Sequence, residues 1–243
     1  MLRLLPTVTA AGPTQMASDE ALLEAATTPT LRLYQWDPPA VSLGYFQDFA
    51  GIAPHLPKTI QIVRRITGGG AIWHEHEVTY ALIGTLGAAG FPAHAKDLYP
   101  LLHGAIAHTL AAAGAPLDSQ SETVGDRRYA SEPRCFASPA AADLVHADGG
   151  KTLGSAARTR GTRVLIHGSL KLASNEWDGP AVTGCGLSAA EASTALIAGI
   201  SAALGITTHA GEWSSEEIAA RERILATRYG TADWVERRVG PRP

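Results

Sequence analysis

The chain has 243 residues, 45% hydrophobic and 18% charged, with a net charge of −3. That composition fits an ordinary folded protein with a substantial core, in one large domain or two small ones. The charge gives no bulk electrostatic reason to expect nucleic-acid or membrane binding, and no apolar run approaches the ~20 residues of a membrane span. Pro6 halts the short apolar start, and the two cysteines, Cys135 and Cys185, accompany no export signal, so a reducing cytoplasm is the expected setting.

Thr14 to Ala26 predicts a first helix, with Ser18 and Asp19 as capping side chains and Met16, Ala17, Ala21, Leu22, Leu23 and Ala25 as its apolar face. Thr30 to Trp36 predicts a strand, broken by Pro38-Pro39, and Ala40 to Tyr45 a short second strand ending at Gly44. Ile60 to Arg65 predicts a third strand leading into Gly68-Gly69-Gly70. Ala71 to Leu86 continues in strand-like alternation, with Ile72, His74 and His76 on one face and Trp73, Glu75 and Glu77 on the other. Leu98 to Ala113 has helical spacing and stops at Gly114-Ala115-Pro116. Pro133 to Pro139 reads as irregular. Asp143 to Ala147 and Lys151 to Ala156 predict a hairpin about Asp148-Gly149-Gly150, and Arg163 to Lys171 another strand. Ser188 to Leu204, stopped by Gly205, and Ser214 to Arg228, opened by Ser-Ser-Glu-Glu, predict helices. With no internal repeat and no low-complexity linker, one compact mixed α/β domain is the simplest account.

Four features bear on chemistry. A glycine triplet lets the backbone approach a ligand closely, and its N–H groups can form a concavity for an anion or carbonyl oxygen; alone it reads first as an ordinary flexible loop. Gly150-Lys151-Thr152 looks like the end of a phosphate-binding loop, but that pattern needs a glycine where Val145 stands and a helix afterwards, so it is rejected. His74-Glu75-His76-Glu77 lacks the second histidine of a zinc-protease helix, where Val78 stands, and no cysteine pair has zinc-ligand spacing. No metal is expected, and the histidines read as facing a pocket. Cys135 has two neighbouring cations, Arg134 in sequence and Lys151 across the hairpin. It is either a small buried apolar residue or a nucleophile. Cys185, between glycines and without an adjacent cation, reads as structural.

Met16 to Leu22, Pro39 to Tyr45, Arg64 to His74, Gly150 to Ala156 and His167-Gly168-Ser169 together resemble the lipoate–protein ligase and octanoyltransferase family, relatives of the biotin–protein ligase catalytic domain. The likeness runs in the family's order over about residues 14 to 173, and more loosely over a tail with Tyr229 and Trp234. It implies one catalytic domain over residues 1–243, with about 210–243 a helical tail. The implied fold is α+β: a mixed, largely antiparallel sheet flanked by helices, with an apolar tunnel for an eight-carbon acyl chain. It further implies that Arg65, Thr67, Gly68, Gly69, Gly70, His74, Gly154, Ser155, Ala156, His167 and Gly168 bind the acyl substrate, and that Lys151 contacts the acyl carbonyl.

Two branches share this scaffold. Ligases activate lipoate with ATP and Mg and use no cysteine; transferases take octanoyl from a carrier-protein thioester through an acyl-cysteine. The surroundings of Cys135, Ala141-Ala142 ahead of Asp143, Val78 within Glu77 to Tyr80, and a chain without length for an accessory domain resemble the transferase branch, whereas the Gly68-Gly69-Gly70 triplet is commoner in ligases. The expectation is an octanoyltransferase with Cys135 as nucleophile and Lys151 lowering the thiol's pKa, stabilising the oxyanion, or both. The alternatives are an ATP-dependent ligase and a non-catalytic acyl- or lipoyl-domain-binding relative. The implied partners are an acyl carrier protein or an octanoylated lipoyl protein as donor and lipoyl domains as acceptor, with no cofactor, nucleic acid or membrane. Arg158, Arg160 and Arg163 form a basic cluster that either receives acidic partner domains or is a solvated face.

Overall fold

A computed structural model describes residues 1–124, 129 and 131–240; the last three residues of the expected tail lie outside the described residues. In chain order the elements are β1 (Leu2–Leu4), β2 (Val8–Ala10), α1 (Gly12–Ala25), β3 (Thr30–Trp36), β4 (Ala40–Leu43), α2 (Phe49–Ile52), β5 (Gln61–Arg64), β6 (Ile72–His74) and β7 (Glu77–Thr85). There follow α3 (Leu98–Ala112), β8 (Asp118–Ser119), β9 (Leu144–Val145), β10 (Lys151–Arg160), β11 (Arg163–Lys171), α4 (Ala189–Leu204), β12 (Thr208–Ala210), α5 (Ser215–Ile224) and α6 (Ala232–Arg237). Among the described residues a nine-stranded sheet runs β12-β1-β3-β7-β11-β10-β9-β8, with β2 beside β3, and a three-stranded sheet runs β5-β4-β6. β1 pairs parallel with β3 and β12, β2 with β3, and β4 with β5; the long central ladders β3·β7, β7·β11 and β10·β11 are antiparallel. The architecture is therefore α+β, mixed and largely antiparallel.

Both faces of the large sheet are covered, so its central strands are apolar on both sides and alternate between two cores. Tyr80, Leu82, Val164 and Ile166 pack under α3 and α4, against Leu98, Leu102, Ile106, Leu196 and Ile200. Ala81, Ile83 and Leu165 pack on the opposite face, with Ala17, Ala21 and Leu22 of α1 and with Ile224, Tyr229 and Trp234. Helix α4 has the start and stop its sequence predicts: Ser188 and Glu191 form a capping box and Gly205 closes the helix in the left-handed conformation. No helix among the described residues is long and apolar enough to cross a membrane.

Three sequence expectations change. Ser18 and Asp19 do not cap α1, whose N-cap is Ala11 with no side-chain cap; both lie buried in mid-helix, Asp19 bound by Arg32, Tyr34 and His167. The run from Ala71 to Leu86 is two strands in two sheets, because His76 takes a positive φ of 49° and turns the chain between β6 and β7. His76 is thereby exposed, and Glu77 comes round to bond His74 instead of facing away from it. The basic cluster is engaged within the fold: Arg160 pairs with Glu20, Arg163 donates to the carbonyls of Leu22, Leu23 and Ala26 at the C-terminal end of α1, and Arg158 lies over the Tyr45 ring. Cations on the orphan carbonyls of a helix end satisfy its dipole.

The C-terminal helices brace the site strand. Helix α5, opened by a Ser214–Glu217 capping box, lies against α1. Beyond it Trp234 Nε1 donates to the Arg64 carbonyl at 2.8 Å while Arg64 Nε donates to Val235 O, also at 2.8 Å. The end of β5 is thus bonded into the tail just before the glycine turn.

Candidate active site

The irregular segment carrying Cys135 is docked on the residues after the glycine triplet. Ala71 N donates to Pro133 O at 2.7 Å, Cys135 N to Ala71 O at 2.8 Å, and Gln47 Nε2 to Pro133 O at 2.9 Å. Phe136 is buried next to the half-exposed Cys135, with the Lys151 and Lys171 ammoniums 5.0 and 5.1 Å from its ring centroid. Of the two cations foreseen beside the thiol, Arg134 turns away to Glu132 and the Trp177 carbonyl. Lys151, at the start of β10 and 2% exposed, brings Nζ to 3.7 Å from Cys135 Sγ and 2.7 Å from Asp143 Oδ2. Burial opposes a charge on Lys151, but Cys135 and the Asp143 carboxylate outweigh it and hold the ammonium's pKa above its ordinary value. Asp143 is fixed in turn by the Ala140 N–H at 2.6 Å. Tyr129 completes this corner, its phenol pushed up to about 12 by burial and by Cys135. Neither Asp143 nor Tyr129 was foreseen as a site residue; Asp143 opens the predicted hairpin strand and nothing local signals its lysine partner.

These groups stand on the wall of a partly enclosed cavity between the two sheets' site residues. Of the residues expected to bind substrate, Arg65, Gly69, His74, Gly154, Ser155, Ala156, His167 and Gly168 line it. Gly68 lines the adjoining cavity instead. Gly70 lies behind the wall, where a Cβ would come within 2.5 Å of Tyr129 and 2.8 Å of the Cys135 nitrogen; its lack of a side chain lets the cysteine segment seat. Thr67 also stands behind, its Oγ1 2.7 Å from His167 Nε2. Arg65 is a strut: its guanidinium donates to the carbonyls of Ser42, Gly68 and Gly70 and shapes the glycine turn.

Two buried carboxylates orient the two cavity histidines. Glu77 Oε1 accepts from His74 Nδ1 at 2.8 Å, and Ser42 Oγ lies 2.7 Å from His74 Nε2; the carboxylate fixes the hydrogen on Nδ1, leaving Nε2 to accept from the serine. Burial pulls the His74 pKa down to about 4, with Lys171 and Arg65 adding to the fall and Glu77 opposing it, so the ring is neutral near pH 7. The ring stacks on Trp36 at 3.8 Å. Glu77 also accepts from Thr79, Ser169 and Lys171. On the opposite wall Asp19 accepts from His167 Nδ1 and Tyr34, both at 2.9 Å. Burial alone would raise the Asp19 pKa; Arg32 and His167 outweigh it and hold it below the usual carboxylate value. Among the described residues no group of three or more His, Cys, Asp or Glu is placed to hold a metal ion.

The fold and this arrangement define an acyl-binding catalytic domain, and the comparisons with known proteins agree. Residues 12–182 match the model of the lipoyl protein ligase A/B catalytic domain, and the chain belongs to that family. Its relatives include octanoyltransferase LipM of Moorella thermoacetica, 37% identical over 180 residues that span 71% of this chain and 66% of that protein. Octanoyltransferase LipM of Kyrpidia tusciae is 31% identical over 272 aligned residues, covering 96% of this chain and 97% of that protein. In fold the chain is similar to lipoate-protein ligase A bound with ATP, with a TM-score of 0.77 at 21% identity over 96% of this chain and 98% of that one. The bi-partite lipoate protein ligase of Thermoplasma acidophilum is also similar, with a TM-score of 0.76 at 20% identity over 98% and 97%.

Proposed function

We propose that the chain is an octanoyltransferase that moves an octanoyl group from a carrier-protein thioester to a lysine of a lipoyl domain through an acyl-thioester on Cys135. The observation that carries the reading is the placement of Lys151 Nζ 3.7 Å from Cys135 Sγ on the cavity wall; similarity to an octanoyltransferase, 31% identical over 96% of this chain, supports it. Sγ, as thiolate, attacks the thioester carbonyl carbon. The Lys151 ammonium stabilises negative charge first on sulfur and then on the oxyanion. The carbon–sulfur bond to the donor breaks, and the donor thiolate leaves and takes up a proton. A neutral acceptor amine then attacks the acyl-cysteine, the amide forms, and the amine's proton returns to Sγ. Exchange between thioesters is nearly balanced and amide formation is downhill, which gives the sequence its direction.

Gly69, Gly154, Ala156 and Gly168 form the narrow walls for the alkyl chain, and His74 and His167 hold its sides. The donor is an acyl carrier protein or an octanoylated lipoyl protein, the acceptor a lipoyl domain, and the setting cytoplasmic; the whole chain serves as one catalytic unit. The glycine triplet at 68–70 favours one second reading, an ATP-dependent ligase. Intact-mass measurement after mixing the protein with octanoyl carrier protein tests the choice. A single octanoyl adduct, removable by hydroxylamine and absent in Cys135→Ser, is expected. Full activity of Cys135→Ser, or acceptor modification only with lipoate and ATP, would overturn the reading.

A further inference from the structure

Helix α3 buries a histidine among hydrocarbons. His103, 1% exposed, shares the inward face of Leu98, Leu102, Ile106 and Leu110. A buried imidazole is costly unless its nitrogens are bonded, and a leucine there would carry no such cost. Both nitrogens are bonded: Nδ1 lies 2.6 Å from the Ala142 carbonyl oxygen and Nε2 2.7 Å from Ser155 Oγ. A carbonyl only accepts, so the hydrogen is on Nδ1 and Nε2 accepts from the serine hydroxyl. Tyr80 OH, 2.7 Å from the same Oγ, then donates to it. Burial holds the imidazole's pKa below its ordinary value, with Lys151 adding to the fall and the Ala142 carbonyl and Asp143 opposing it. The ring is therefore neutral near pH 7 and keeps this tautomer.

Ala142 is where the chain needs holding. Its φ of 72° is left-handed, a conformation disfavoured for a residue with a Cβ. The Ala142 carbonyl and the Asp143 N–H belong to one rigid peptide plane. His103 binds one edge of that plane, and the Asp143 N–H donates to Ala140 O at 3.0 Å from the other. From this plane the Asp143 carboxylate reaches Lys151 Nζ at 2.7 Å, and Nζ stands 3.7 Å from Cys135 Sγ. His103 itself lines neither the acyl cavity nor the adjoining one, so it acts through these groups.

We propose that His103 is a positioning residue: by holding the Ala142 carbonyl it sets the carboxylate of Asp143, and through it the ammonium of Lys151, against Cys135. The proposal rests on the acyl-thioester reading of Cys135 and adds a residue that neither touches the reacting atoms nor lines the cavity. Three variants of the full chain separate the two hydrogen bonds. Asparagine places its amide where Nδ1 stands and keeps the Ala142 bond; glutamine places its amide where Nε2 stands and keeps the Ser155 bond; leucine keeps neither. His103→Leu should lower kcat for acylation of Cys135 by octanoyl carrier protein about ten- to a hundredfold with KM little changed. It should also slow alkylation of Cys135 by iodoacetamide at pH 7 about threefold, because a displaced ammonium leaves less thiolate. His103→Asn should restore most of both rates and His103→Gln neither, at similar thermal midpoints. That ordering of the two amides decides the matter even where the leucine variant does not fold. Wild-type rates in His103→Leu, or rescue by glutamine equal to or better than rescue by asparagine, would overturn the proposal. Absence of any octanoyl adduct on the wild-type protein would refute the acyl-transfer reading, and the alkylation rates would still decide whether His103 positions Lys151.

Discussion

A Cβ on Gly154 would stand 2.4 Å from Cε and 2.6 Å from Nζ of Lys151, so the lysine folds back across its own strand into the space this glycine leaves open. Lys151 and Gly154 act as one unit, the second making room for the first. Gly154→Ala should displace the ammonium by an ångström or more and lower the rate about 10²-fold, as misplacement of a charged group at a reacting carbonyl does. The nearest atoms are the far end of a flexible side chain, so the thermal midpoint should move by only a few degrees. Parallel rate and melting measurements decide it; near-wild-type turnover would contradict the geometry.

Asp143 sets the charge state of Lys151. Burial disfavours the ammonium and the negative charge at Cys135 and Asp143 restores it. In Asp143→Asn one of the three raising influences, Cys135, Asp143 and Tyr129, disappears, so Lys151 loses its proton at lower pH. The alkaline limb of the kcat profile should then shift downward and peak activity should fall at least tenfold, given the cost of leaving a buried charge without its partner. A limb that stays in place would show that Lys151 is not the titrating group.

Acid should loosen the protein through His74. Its folded pKa of about 4 lies below the 6.5 of a free imidazole. Between those values the unfolded chain binds a proton that the folded chain refuses, so stability contributed above pH 6.5 is lost as pH falls toward 4. The full loss is on the order of 3 kcal/mol. Glu77, held below the usual carboxylate range against burial by Lys171 and His74, adds a loss of the same sign at still lower pH. Denaturant unfolding at pH 7.5, 5.5 and 4.5 should show this slope, and His74→Gln should flatten the part above pH 4.

The tail should matter to the site strand. Trp234 is 1% exposed and bonded to the Arg64 carbonyl, so Trp234→Ala should cost about 3–5 kcal/mol of stability. Because that bond lies four residues before the glycine triplet, the acylation rate measured well below the melting point should fall as well. A destabilised variant with unchanged rate would limit the tail to a supporting role in the fold.

Much of this was legible in the chain. β11 and α4 carry unbroken periodicity with a turn or cap at each end, and their residues appear as read. Gly68 to Gly70 and Lys151 advertise a site because glycine runs and a lysine on a hairpin are locally unusual. What stayed hidden depends on partners far along the chain. Asp19 looks like a helix cap because its partner His167 lies 148 positions away. Glu77 looks like the outer face of a strand because the period of two runs unbroken through Glu75-His76, and only the backbone at His76 shows the turn. β1, β2 and β12, three residues each, are too short for alternation to register and owe their place to parallel neighbours brought from elsewhere.

The paired histidines have a consequence for how a wall of polar residues meets a hydrocarbon. Both nitrogens of each ring are already held, His74 between Glu77 and Ser42 and His167 between Asp19 and Thr67. On the proposed acyl-binding reading, a saturated chain sliding past them would strip no hydrogen-bonding water from an open donor, and this lining would behave like oil although it is spelled in histidine. Freeing a single ring atom, as Thr67→Val would, turns a smooth sleeve into one with a sticky spot.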